Sequence, residues 1–112
     1  ILFEADHGDP RRAVTMAGQT LRTRPFVAVQ DAYAWALHRA GRDAEALVQA
    51  DRALATGMRS ALFHYHRAAI HHALGDSEAA RRDLTRALRE PGFHPLHADA
   101  AHDLLQRIDT TP

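Results

Sequence analysis

HRAGRDAEAL at 38–47 and HALGDSEAAR at 72–81 hold His, Gly and Ala in register at an offset of 34, as His38/His72, Gly41/Gly75 and Ala46/Ala80. A fixed period changes the meaning of every other residue, because each unit then stands for one supersecondary element that recurs along the chain. The pattern extends upstream to Gly8, and Ala13 keeps the interval that separates Gly41 from Ala46 and Gly75 from Ala80. Arg52-Ala53-Leu54 returns as Arg86-Ala87-Leu88, and Thr20-Leu21 holds the same place one unit earlier. Pro25, Gly57 and Pro91 end the three units.

Within a unit the order reads as helix, glycine turn, second helix, stop. Glycine suits the position just past a helix end because it reaches positive φ without a Cβ penalty. Asp9 and Asp76 are placed to accept hydrogen bonds from the open amides of the helix that follows, and Pro10 fits a first helical position. Val29, Tyr33, Ala36, Leu37 and Ala40 follow helical spacing within 27–40, as do Phe63, Ile70 and Leu74 within 60–74. Helices this short do not persist alone, so they must pack.

Composition agrees. The chain has 112 residues, an apolar fraction of 46% and only 6% aromatics, with 23 alanines. A core of that make-up comes from close backbones with small side chains between them, which favours helices. Cysteine is absent, so disulfide and thiolate-metal chemistry are excluded. No apolar run is long enough for a membrane span, and no leader resembles a signal peptide. All 14 basic residues are Arg, a bias that with the alanine excess points to a GC-rich, bacterial genome. Formal charge is zero, which offers no net field to a nucleic acid.

The pattern resembles the tetratricopeptide repeat, a 34-residue pair of antiparallel helices with a small residue at its eighth place and Ala at its twentieth and twenty-seventh. One unit counted from Val27 puts Ala34, Ala46 and Ala53 there, and the next, from Ala61, puts Ala68, Ala80 and Ala87. Tyr65-His66-Arg67-Ala68 is similar to a common family variant, and Asp83 to Leu88 to its usual second-helix ending. The fourth and eleventh places, often aromatic in the family, hold Gln30 and Leu37, then His64 and His71. The resemblance implies an all-α, right-handed α-solenoid of antiparallel helix pairs in one domain: a partial repeat at 1–25, repeats at 27–57 and 60–91, a capping helix at 95–108 and a tail at 109–112. In the last helix, Leu96, Ala100, Ala101, Leu104, Leu105 and Ile108 form the apolar stripe that a terminal cap requires. Residues 1–7 read as the end of a helix that begins earlier, so the chain is expected to be a piece of a longer, cytoplasmic protein with another repeat upstream.

No catalytic constellation is evident. Ser60 and Ser77 stand where helix starts are expected, which capping explains better than nucleophilic chemistry. The carboxylates are scattered, mostly beside Arg, as solvated ion pairs usually are. Nine histidines invite a metal reading, yet none falls in a ligating pattern. His64 and His71 share a face and read as core-filling rings, while a metal held by His38 and His72 with Asp31 is the weaker alternative. Arg82, Arg86 and Arg89 line one helix face with Asp83 and Glu90 interleaved, and read as a solvated face rather than a nucleic-acid stripe. Neither an enzyme, a cofactor, a metal, a nucleic acid nor a membrane is therefore expected.

In the resembled family, first helices line a groove whose second, fifth, ninth, twelfth and thirteenth places meet a peptide. Carried over, these are Ala28, Asp31, Trp35, His38 and Arg39, then Leu62, Tyr65, Ala69, His72 and Ala73. Trp, Tyr and Arg dominate binding energy at interfaces. For Trp35 and Tyr65, packing against a neighbouring helix stands open beside exposure. The groove that clamps chaperone tails needs Lys or Arg and Asn where this chain has Asp31, Trp35, Tyr65 and Ala69, so that partner is set aside. The expectation is a non-catalytic module that binds a peptide or protein through Asp31, Trp35, His38, Arg39, Leu62, Tyr65, Ala69 and His72. The rival is a structural spacer or dimerisation end that self-associates through the apolar edge at Ile1-Leu2-Phe3.

Overall fold

Proline at the first helical place, Asp caps and glycine stops divide the chain into six helices among the residues that the computed structural model describes, namely 6, 8–23, 27–57 and 60–110. They are α1 (Pro10–Thr23), α2 (Val27–Arg39), α3 (Asp43–Leu54), α4 (Ala61–Ala73), α5 (Ser77–Arg89) and α6 (Pro95–Thr110). The described residues contain no strand, and none of these helices is long and apolar enough to cross a membrane. The fold is all-α. It divides into two compact units, Ile1–Met58 and Arg59–Pro112. The apolar edge at 1–3, the stop at Pro25 and the last two tail residues lie outside the described residues.

Helix ends follow the local chemistry. Asp9 Oδ1 accepts from the Arg11 amide at 3.0 Å, and Asp76 Oδ1 from the Ala79 amide at 3.1 Å. Ser60 Oγ caps α4 by accepting from Phe63 at 3.3 Å. Ser77, by contrast, is the first residue inside α5, and Asp76 does the capping. At the glycine turns the Arg42 amide donates to the Leu37 carbonyl at 2.8 Å and the Gly41 amide to His38 at 3.0 Å. Asp76 and Gly75 make the same bonds to His71 and His72, at 2.9 and 3.0 Å. This double closure needs a left-handed residue, and Gly41 and Gly75 supply it with φ of 81° and 84°.

In the first unit α2 packs between α1 and α3. Ala13, Ala17, Ala34, Ala36, Ala46, Ala50 and Ala53 line the contacts, so the backbones approach closely, and Leu37 fills the centre. Gly18 lies inside α1, where a Cβ would meet the Tyr33 ring at 3.9 Å, an ordinary contact. Gly18→Ala is therefore expected to stabilise the unit by about 0.4–1 kcal/mol through the unfolded chain's lost freedom, a gain that denaturant titration would read as a higher midpoint.

In the second unit α4 pairs with α5, and α6 packs on both. Ala68, Ala80, Leu84, Ala101, Leu104 and Ile108 form the core, with Tyr65, Ala69, Leu88, Phe93 and Leu105 packed against it. Leu96 departs from the expected stripe at 73% exposed. At ~100° per residue it projects ~140° from Ala101, whose line continues to Leu104 and Ile108. The last helix also outruns the expected 95–108: it extends to Thr110, whose Oγ1 donates to Gln106 at 2.9 Å, and Arg81 holds Asp109 at 2.9 Å.

In each unit a polar contact at the same register joins the helix pair. Gln30 Nε2 donates to Gln49 Oε1 at 2.8 Å, joining α2 to α3. His64 Nδ1 lies 3.0 Å from Asp83 Oδ1, joining α4 to α5, and both residues stand 34 places beyond the glutamine pair. The period seen in the sequence thus reaches the side-chain contacts inside each hairpin.

Candidate functional site: a ring-lined face and a polar cleft

Residues 28, 31, 35 and 38 form one stripe on α2, and the stripe is largely covered. Asp31 is 3% and Trp35 7% exposed. The Trp35 indole N–H donates to Asp6 Oδ1 at 2.8 Å, and its ring meets His38 at 5.0 Å between centroids. Of the two placements open for Trp35, the packed one holds. His38 Nδ1 is in turn 2.5 Å from Asp43 Oδ1 across the glycine turn, and Arg39 Nε is 3.5 Å from Asp6. Trp35 and His38 therefore serve the unit's own packing, Asp31 is buried, and Arg39 alone of the four is exposed. Asp6, which organises the stripe, was not singled out by sequence, because its partners lie nearly thirty residues on.

The equivalent stripe on α4 is more open. Leu62, Tyr65 and Ala69 are half-buried and His72 is exposed. Tyr65 belongs to a cluster of rings: its centroid lies 6.5 Å from Phe93 and 6.4 Å from His97, and Phe93 stacks on His97 at 6.3 Å. His94 meets His97 edge-on at 5.7 Å. Ring pairs at these separations hold their geometry. Phe93 and His97 were not read as site residues, since a turn residue and a first-turn histidine have no period that marks them. Together these groups give the second unit a partly exposed aromatic face beside Leu62, Ala69 and His72.

On the other side of α4, His64, Arg67 and His71 face α5. Tyr65 and Arg67 project ~160° apart at ~100° per residue. Asp83, 5% exposed, receives a bidentate Arg67, with Nε to Oδ2 and Nη2 to Oδ1 both 2.8 Å. His64 stands 3.0 Å from Oδ1, and His71 Nε2 lies 3.8 Å from Oδ2. Burial alone would push the Asp83 carboxyl up, but the hydrogen bonds and charge of Arg67 and His64 outweigh it and hold the group below its ordinary value of 3.8. Asp83 is thus no member of a solvated face. It faces inward, and His64 fills its aromatic place by pairing with it, while His71 stands beside the pair without a hydrogen bond to it. A hollow of about 260 Å³ opens over this cluster, lined by His64, Arg67, His71, Ala79, Arg82, Asp83 and Arg86.

Among the described residues no group of three or more His, Asp or Glu is placed to hold a metal ion. Comparison with family models, curated proteins and solved structures found no match.

Proposed function

We propose that the chain is a non-catalytic interaction module of tetratricopeptide-like helix pairs stacked as a right-handed α-solenoid, and that it takes a peptide or protein partner on the Tyr65 face. The observation that carries the reading is the partly exposed ring cluster Tyr65–Phe93–His97 beside Leu62, Ala69 and His72. Aromatic rings already fixed by their neighbours lose little freedom when a partner covers them, which is how such residues come to dominate interfaces. The matched turns and polar contacts, 34 residues apart, support the stacked-repeat part of the proposal. Its substance is an edge of rings and small residues on the second unit.

A photo-crosslinking residue at His72, in the protein expressed in its own cells, tests this against the same probe at Arg52. A distinct adduct at His72 is expected, absent at Arg52, and Tyr65→Ala should weaken capture about 30-fold, the scale of an interface hot spot. Adducts formed only with a second copy of the chain would instead establish the self-association reading. No adduct at His72, or one indifferent to Tyr65→Ala, would remove the ring face from consideration.

A further inference from the structure

We propose that the cleft between α4 and α5 is an oxyanion site for a phosphate dianion, free or esterified, with Arg82 and Arg86 as its principal ligands and His71 as an additional donor. This site lies on the side of α4 away from Tyr65 and goes beyond the partner-binding reading.

Charge provides the first argument. The hollow is walled by three guanidinium groups and one carboxylate. Asp83 is committed to Arg67, which takes both of its oxygens, and to His64. Arg82 and Arg86 are exposed and have no ion pair among the described residues. Two like charges four places apart on one helix repel each other, and the groups that line the cleft sum to a formal charge of plus two. A phosphate carries about −1.5 to −2 at neutral pH, close to that charge, whereas a single carboxylate leaves half of it unmet.

Shape and donor chemistry agree with charge. Ala79, one turn before Arg82 and Asp83, has too small a side chain to fill the space, and a hollow of about 260 Å³ is left beside it. Guanidinium forks match the oxygens of a phosphate in pairs, which an ammonium does not. An imidazole offers an N–H donor in either charge state, so His71 contributes without a change of protonation. Arg82 and Arg86 also border a second hollow of about 510 Å³ with Arg81, Thr85, Arg89 and Glu90, which gives the organic part of an ester a way out to solvent. Asp83 opposes an anion and Glu90 stands at the rim of the outer hollow, but Arg67 screens the first and Arg89 adds a cation beside the second.

The test is a titration of the whole protein with inorganic phosphate at constant pH and low, constant ionic strength, followed by the imidazole NMR signals. Low salt is needed because exposed charges are screened within about 10 Å at 0.1 M. Saturable shifts are expected for His64 and His71 but not for His94, with chloride producing none. Arg82→Gln with Arg86→Gln should weaken binding about tenfold or more, the scale of one lost charged hydrogen bond, while Arg52→Gln, an equal change of charge elsewhere, should not. Circular dichroism checks that the double variant is folded, and Arg82→Gln alone replaces it otherwise, with a smaller loss expected. A second arm separates the sources: a phosphoserine peptide that binds where inorganic phosphate does not identifies an ester as the ligand. The proposal is overturned if neither probe gives a saturable shift, if chloride gives the same one, or if the Arg variants bind as before. A glutamate peptide that binds as tightly as the phosphoserine peptide would overturn the dianion assignment.

Discussion

Replacing Asp83 with alanine is expected to destabilise the Arg59–Pro112 unit by about 3–5 kcal/mol, the usual consequence of removing one partner from a buried, hydrogen-bonded ion pair. The loss has three parts: the bidentate bond from Arg67, the bond with His64, and the stranding of both groups beside a void. Because a folded domain's whole stability is about 5–15 kcal/mol, denaturant titration should show the change directly as a large fall in midpoint. The same carboxylate sets an acid limit. Its folded value is lowered, so its contribution is fully present above the ordinary value of 3.8 and is lost as pH falls from there through the lowered value. The alanine variant should therefore lose less stability than the parent over that acid window.

The first unit supplies the control. Gln30, Tyr33 and Gln49 occupy the places that His64, Arg67 and Asp83 occupy 34 residues later, and there a neutral pair joins the helices at 2.8 Å. Carrying that set over as His64→Gln, Arg67→Tyr and Asp83→Gln should recover most of the stability that Asp83→Ala loses, since a satisfied neutral pair often equals a buried ionic one. If the triple variant were as unstable as Asp83→Ala, the two hairpins would differ in more than side chains at this register.

Much of this was legible in the sequence, and the remainder was hidden for a definable reason. Gly41, Gly75, Asp9 and Asp76 act over two to five residues, and their turns and caps stand where local chemistry put them. Ala46, Ala53, Ala80 and Ala87 lie where the period placed small residues, and all are fully buried. What the period does not encode is which side of a helix meets a partner's polar group. Asp83 falls among Arg82 and Arg86 in sequence and reads as solvated, yet one step of ~100° turns it inward onto Arg67. Trp35 is a similar case: its neighbour Asp6 lies outside its own helix pair, and no local signal links the two. Tyr65 was found because a ring at a stripe position is conspicuous, while Phe93, in a turn, was not.

Leu84→Ala and Leu37→Ala carry the second large effect and test the stacking proposal together. Both leucines are essentially fully buried, one in each unit. Truncation of a buried leucine costs about 2–5 kcal/mol as transfer and cavity terms combine, and the alanine-rich surroundings limit how far the site can close. Each change should therefore remove about 3 kcal/mol from its own unit. The informative quantity is what happens in the other one. In a stacked array the stability of each unit includes an interface term with its neighbour, so weakening one lowers hydrogen-exchange protection in the next by a part of the loss. Leu84→Ala should then reduce protection throughout α4 and α5 by nearly the full amount and in α2 and α3 by a smaller, measurable one, with Leu37→Ala giving the reverse. Protection in α2 and α3 that did not respond to Leu84→Ala would mean that the units fold without mutual support, and the solenoid reading would have to be given up while each hairpin's own account stood.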